Sequence, residues 1–353
     1  MKPFGTARLA RIFLAALVSW CAVQAFGIQR VPHPLQDVMH RADDRVRAAY
    51  AVVDSVKRAR ELPVAAESQV PWRALLGEDY TPITTTLGSL AAKEAATNPA
   101  WAGLLVRLLD EAGVGRGDTV GILASGSFPS LNLATMAAVQ ELGAESKQVA
   151  SLGASSFGAN SRLATWLDIR AWVLSAGVMA AGSLLVTLGA EDDVGGGMTE
   201  EGKAWLQQAL DRNGQPALLA ESLDSAIAAR LDFLASSPLT AVVNIGGGQA
   251  ALGHCPHAAN LPPGRWPAPP VCRCPDRGAL TRLHERGVPV INLLSIRELA
   301  IQHGLDPEPG AEYRNIGQPD MVTRADGRWV LGALAFVALS IIRFPHRRPN
   351  PIA

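Results

Sequence analysis

Histidine is missing from the whole stretch between residues 41 and 253 of this 353-residue chain. Acid–base chemistry in its middle must therefore use carboxylates, lysines or hydroxyls, or borrow distant His254 or His257. Aromatic residues are scarce at 5%, which argues against stacking platforms for single-stranded nucleic acid. Charge of one sign is also lacking: 32 Lys plus Arg balance 32 Asp plus Glu, so no basic field draws a polyanionic nucleic acid. Nucleic acid is not an expected partner. Cysteine is sparse too, with four in all. Three of them, Cys255, Cys272 and Cys274, sit with His254 and His257 in a Pro-rich excursion whose separations fit no usual C-x-x-C zinc pairing. A disulfide, free thiols and a metal site stay open there; no metal and no cofactor is assigned.

What is present is apolar content, 48%, enough for a sizeable core. The organising stretch runs from Gly117 to Asp168. Val120 to Ala124 is a short apolar run that breaks into Ser125-Gly126-Ser127-Phe128-Pro129 and then enters a helical pattern closed by Gly143. Val149 to Leu152 breaks into Ser155-Ser156-Phe157-Gly158, and a second element begins near Asn160. Strand, small-residue loop, helix and strand in that order spell a parallel α/β unit. Loops of like composition at adjacent strand ends face one crevice, where open parallel sheets bind ligands.

Before this stretch, Leu35, Met39, Ala42, Val46, Ala49, Val53 and Val56 mark the seam of an amphipathic helix ended by Pro63, read as laid on the globular domain rather than as a coiled coil. Ser89 and Lys93 stand four apart, one more than S-x-x-K requires, and Ser89 is read as a helix cap. Asn98-Pro99 is expected to open a further helix. After the stretch, Ala171 to Leu188 is read as core, Leu239 to Ile245 and Val288 to Leu294 as strands, and Ile296 to His303 as a helix. The Glu191-Asp192-Asp193 run between glycines suits an amine, a metal or a plain flexible turn. Gly246-Gly247-Gly248-Gln249 matches neither a P-loop nor a dinucleotide fingerprint, yet lets backbone N–H groups approach an anion.

Both ends carry apolar runs, Ile12 to Ile28 and Val330 to Ile342, with basic residues outside each. They are read as two spans of the cytoplasmic membrane with the domain between them on the exported side. A cleaved signal peptide at Val23-Gln24-Ala25 competes at the first end. The expected organisation is a membrane anchor over 1–30, a helical region over 31–113, an α/β core over 114–310, a linker over 311–328 and a membrane helix over 329–344. The fold class is α/β, a mainly parallel sheet flanked by helices, with an N-terminal helical segment and terminal anchor helices.

Several segments together resemble the poly-γ-glutamate system proteins, which accompany the synthase subunits that make that polymer. The resemblance rests on Thr84-Thr85-Thr86-Leu87-Gly88-Ser89 through Lys93, Ser125 to Pro129 with Leu131-Asn132, and Gly153-Ala154-Ser155 with Gly158-Ala159-Asn160. It continues through Thr165 to Asp168, Asp193-x-Gly-x-Gly, Asn244 to Gln249 and Gly287 to Val290, covering roughly residues 78 to 310. It implies a membrane-anchored accessory factor in making, exporting or trimming an anionic capsule polymer, partnered by that polymer or by the synthase subunits. Two mechanisms then stand. In the first, Ser125, Gly126, Ser127, Asn132, Ser155, Ser156, Asn160, Gly246, Gly247, Gly248 and Gln249 form an electropositive hollow that binds carboxylates. In the second, Ser127 or Ser156 attacks a γ-amide, with Asp168, Asp193 or Lys93 assisting proton transfer.

Overall fold

In a computed structural model of the chain, which describes residues 6–342 apart from 219, 255–260, 267–275 and 319, the elements follow one another as a wound α/β chain. α1 (Thr6–Ala22) runs on as a π-helical turn (Val23–Gly27) into β1 (Ile28–Pro32). α2 (Gln36–Ala59), α3 (Leu90–Ala96) and α4 (Trp101–Glu111) lead to β2 (Thr119–Ser125), α5 (Pro129–Glu141) and β3 (Glu145–Ser151). A small hairpin, β4 (Asn160–Ser161) and β5 (Ala164–Thr165), precedes α6 (Trp166–Ser175), β6 (Ser183–Thr187), α7 (Glu200–Asn213) and α8 (Leu223–Ala235). Then come β7 (Ala241–Ile245), α9 (Gln249–Leu252), β8 (Gly264–Arg265), α10 (Ala279–Glu285), β9 (Val290–Leu293), α11 (Ile296–His303), β10 (Met321–Ala325) and α12 (Gly327–Ile342).

The chain divides into two units, one of residues 35–320 and one joining both ends, 1–34 with 321–353. In the larger unit six strands pair in the order β6-β3-β2-β7-β9-β8, all parallel except β8 against β9. The mainly parallel sheet flanked by helices is thus the observed architecture. The alternation of a strand assigns its faces. Val120, Ile122 and Ala124 of β2 join the core under α2, α4 and α5, whereas Leu123 joins the opposite core with residues of α8, α9 and α10. Winding starts at central β2, moves outward through β3 and β6, then returns to β7 on the other side. That reversal puts a topological switch point at the carboxyl ends of β2 and β7, where a crevice opens in folds of this kind.

The amphipathic seam lies where the sequence put it: Met39, Ala42, Val46, Ala49 and Val53 of α2 are buried in the same core as the sheet. Ser89 caps α3, its hydroxyl accepting the Ala92 N–H at 3.4 Å. Residues 171–188 are the end of α6 and the strand β6, not a span. The start of α4 differs from expectation. Asn98 accepts the Ala100 N–H at 3.1 Å in a tight turn, and the helix opens two residues later than the Asn-Pro signal suggests.

In the smaller unit, β1 and β10 pair antiparallel from Ile28 with Ala325 to Pro32 with Met321, so part of the expected linker is a strand. Phe26 stacks on Trp329 at 5.5 Å beside the packed pair α1 and α12. The two apolar runs are helical, but among the described residues no helix is long and apolar enough to cross a membrane. At about 1.5 Å per residue, 17 and 16 residues fall short of the roughly 30 Å hydrocarbon core. The expected anchor helices therefore find no support in helix length. Cys21 is exposed and free, while Cys255, His257, Cys272 and Cys274 lie outside the described residues.

Candidate functional site

The four loops that leave β2, β3, β6 and β7 at their carboxyl ends converge on one crevice of about 320 Å³. Its walls include Ser125, Ser127, Phe128, Ser151, Gly153, Ser155, Glu191, Asp193, Gly247, Gly248 and Gln249, with Thr85 and Thr86 closing one side. Small residues are needed because the loops lock together. Gly126 N–H donates to Ser151 O at 2.8 Å and Ala159 N–H to Gly126 O at 2.7 Å, and a Cβ on Gly126 would stand 2.5 Å from Leu152 O. Gly246, at φ +82°, turns the chain out of β7 at the switch point.

Lys93 reaches this crevice from behind. Its side chain crosses from α3 and is 3% exposed. Nζ lies 2.7 Å from Ser155 Oγ, donates to the Ser127 carbonyl, and sits 3.7 Å from the centre of the Phe128 ring. Burial penalises the ammonium form and brings its pKa from 10.5 down to about 7. The Ser155 N–H donates to Ser127 Oγ at 3.0 Å, so Ser127 touches both members of the pair. A hydroxyl within hydrogen-bond reach of an amine that is half neutral near pH 7 is the arrangement of a serine nucleophile with a lysine base.

The residues named from sequence fall into distinct places. Ser125, Ser127, Ser155, Gly247, Gly248 and Gln249 line the crevice. Ser156 points away; its hydroxyl is buried without a hydrogen-bond partner among the described residues. Asn132 is buried and donates to Ser125 O at 2.8 Å, bracing the loop from beneath. Asn160 donates to Glu78 O at 2.7 Å and accepts the Glu78 N–H at 2.9 Å, tying the 78–84 segment down.

Asp168 completes a capping box with Thr165 at the start of α6 and pairs with Arg212 at 2.6 Å. Burial raises its pKa, but hydrogen bonds from Arg212, Thr165 and Asn213 outweigh that and hold the carboxyl below its usual range. Its place is at the start of α6, outside the residues that line the crevice. Asp193 does line the crevice, yet both of its oxygens are taken by Arg230 of α8, one of them at 2.7 Å. The same guanidinium donates to Ser151 Oγ at 2.9 Å and Thr187 Oγ1 at 3.0 Å. With Asp193 paired to Arg230 and Glu191 on the wall, the crevice carries a carboxylate beside its backbone N–H groups.

Arg230, Thr85 and Thr86 belong to the site without standing out in the sequence, where Ser155 is expected only to bind. The available signal for Arg230 was an arginine on the apolar face of Ile227-Ala228-Ala229-Arg230-Leu231. Among the described residues no group of three or more His, Cys, Asp and Glu is placed to hold a metal ion.

Gly88 packs against the pair. A Cβ there would stand 2.8 Å from Ser156 O, 3.2 Å from Ser155 Oγ and 3.3 Å from Lys93 Cε. Gly88→Ala is expected to leave the far-ultraviolet circular dichroism unchanged while displacing the Ser155 hydroxyl or the Lys93 side chain, seen as a changed Lys93 titration by NMR. No protein-family model, curated protein or solved structure matches the chain.

Proposed function

We propose that the protein is an accessory factor of poly-γ-glutamate metabolism whose crevice performs acyl transfer, with Ser155 as nucleophile and Lys93 as its base. The observation that carries the chemistry is Lys93 Nζ at 2.7 Å from Ser155 Oγ on the crevice wall, with burial holding the amine near neutrality. Neutral Lys93 takes the hydroxyl proton as Ser155 Oγ attacks an amide carbonyl, then returns it to the departing amine. Ser127 holds both partners in line through its Oγ and its carbonyl. The polymer enters from the family resemblance, which supplies a γ-linked amide as the bond to be attacked.

A second reading, carboxylate binding without turnover, is favoured by the open backbone at Gly247 and Gly248, where an added Cβ meets only leucine side chains or empty space. Glu191, which has no ion pair among the described residues, weighs against it. The apolar side chains exposed on α1 (Phe13, Leu14, Trp20) and α12 (Leu331, Leu334, Leu339) favour seating both ends in the cytoplasmic membrane, and the basic residues outside both apolar runs favour the exported side for the core.

The test incubates the full-length protein with poly-γ-glutamate and follows chain length and retention, beside Ser155→Ala. The proposal expects chains shortened or joined to an acceptor by the wild type and untouched by the variant. Retention of polymer with chain length unchanged in both would install the binding reading instead.

A further inference from the structure

Three consecutive acids follow β6, and their surroundings divide them. Asp193 is buried and held by Arg230. Asp192 stands 3.8 Å from His254, and its N–H donates to Gln249 Oε1 at 2.7 Å. Glu191 is exposed and lines the same crevice as Ser155; among the described residues it has no ion pair. Room is left around it. The nearest heavy atom to an added Cβ on Gly197 is Glu191 Oε2 at 3.9 Å, while a Cβ on Gly196 would press on Glu191 Cβ at 2.9 Å. Left-handed backbone at Ala190 (φ +63°) and Asp192 (φ +55°) brackets the residue, so its position is imposed by the turn around it.

An unpaired carboxylate on the wall of a narrow crevice repels an anionic group and attracts a cationic one. A serine acyl intermediate can be released by water or by an amine. Resting on the acyl-transfer reading above, we infer that Glu191 recruits an ammonium-bearing acyl acceptor, so that the crevice is a transferase site that joins the acyl chain to an amine. The balance is simple. The ammonium loses one proton to solvent to become a free amine. Its nitrogen then bonds to the acyl carbon, the ester bond to Ser155 Oγ breaks, and the second amine proton returns to Ser155 Oγ through Lys93.

The experiment uses the full-length protein with N-acetyl-γ-glutamyl-p-nitroanilide as donor, which carries no ammonium, and glycylglycine or hydroxylamine as acceptor. It reads released p-nitroaniline together with the ratio of transferred to hydrolysed product. The wild type is expected to favour transfer to glycylglycine over hydroxylamine, which attacks as an uncharged amine and offers Glu191 no ammonium. Glu191→Gln should lower the transfer-to-hydrolysis ratio for glycylglycine at least 10-fold relative to that for hydroxylamine, and Glu191→Asp should recover part of it. An unchanged ratio in Glu191→Gln with release intact overturns the acceptor inference alone. Absence of any Ser155-dependent release overturns the acyl-transfer reading on which it rests.

Discussion

Lys93→Met is expected to lower kcat/KM by about 10²- to 10⁴-fold, the usual contribution of a positioned general base. Methionine keeps most of the apolar stem but has no ammonium and cannot accept a proton. In the wild type kcat/KM should rise with pH through about 7, because only the neutral amine can act and burial sets its titration there. The variant's residual activity should lose that inflection. A stability signature follows from the same burial. The folded-state pKa of Lys93 lies below its ordinary 10.5, so between about 7 and that value the unfolded chain binds the extra proton. Stability therefore climbs with rising pH over that window. Lys57, buried and lowered to about 8, adds a smaller climb over the upper part of it. Denaturant titrations at pH 6.5 and 9 should show the climb, and Lys93→Met should remove the part that begins near 7.

The second large effect concerns stability. Arg230 and Asp193 are 2% and 4% exposed and satisfy each other together with Ser151 and Thr187. Removing one partner leaves a buried charge with no counter-ion, which costs about 3–5 kcal/mol. Arg230→Met is therefore expected to lower Tm by on the order of 10 °C. Replacing both, as Arg230→Met with Asp193→Leu, should recover much of that loss, since an apolar pair avoids the desolvation penalty. Thermal melts of the two variants decide the matter: equal melting of the single and double variants would contradict it. Because Asp193 anchors the loop that carries Glu191, the single variant should also blur the discrimination between acceptors.

Much of the sheet is legible because its inner strands are buried on both faces. β7 and β9 read as short apolar runs bounded by glycine or proline, and α11 lies where its pattern and closing Gly304 put it. The first half of β3 is not legible, since Glu145-Ser146-Lys147-Gln148 is polar. Lys147 carries its ammonium out to Ser236 and Ser237, and Gln148 is wholly buried, so tertiary packing overrides the local pattern.

At the site the converging loops were readable from their composition, whereas the chemistry was not. Ser155 and Ser156 are neighbours, and only the path of the loop decides which hydroxyl meets the crevice and which is buried. Lys93 stands 62 residues from Ser155, and its nearer serine in sequence, Ser89, is spent on capping α3. Asp168 shows the converse case. Thr165-x-x-Asp168 ahead of an apolar run is the sequence form of a capping box, which accounts for both residues without any catalytic role.

The claim on which the rest depends is that Lys93 activates Ser155. A serine-directed fluorophosphonate followed by peptide mapping tests it directly, with labelling rates measured from pH 5.5 to 9. The account predicts a single adduct on Ser155, forming at a rate that rises through pH about 7 and falls away in Lys93→Met. An adduct on Ser127 or Ser156 instead, or labelling of Ser155 that is as fast without Lys93, would contradict it.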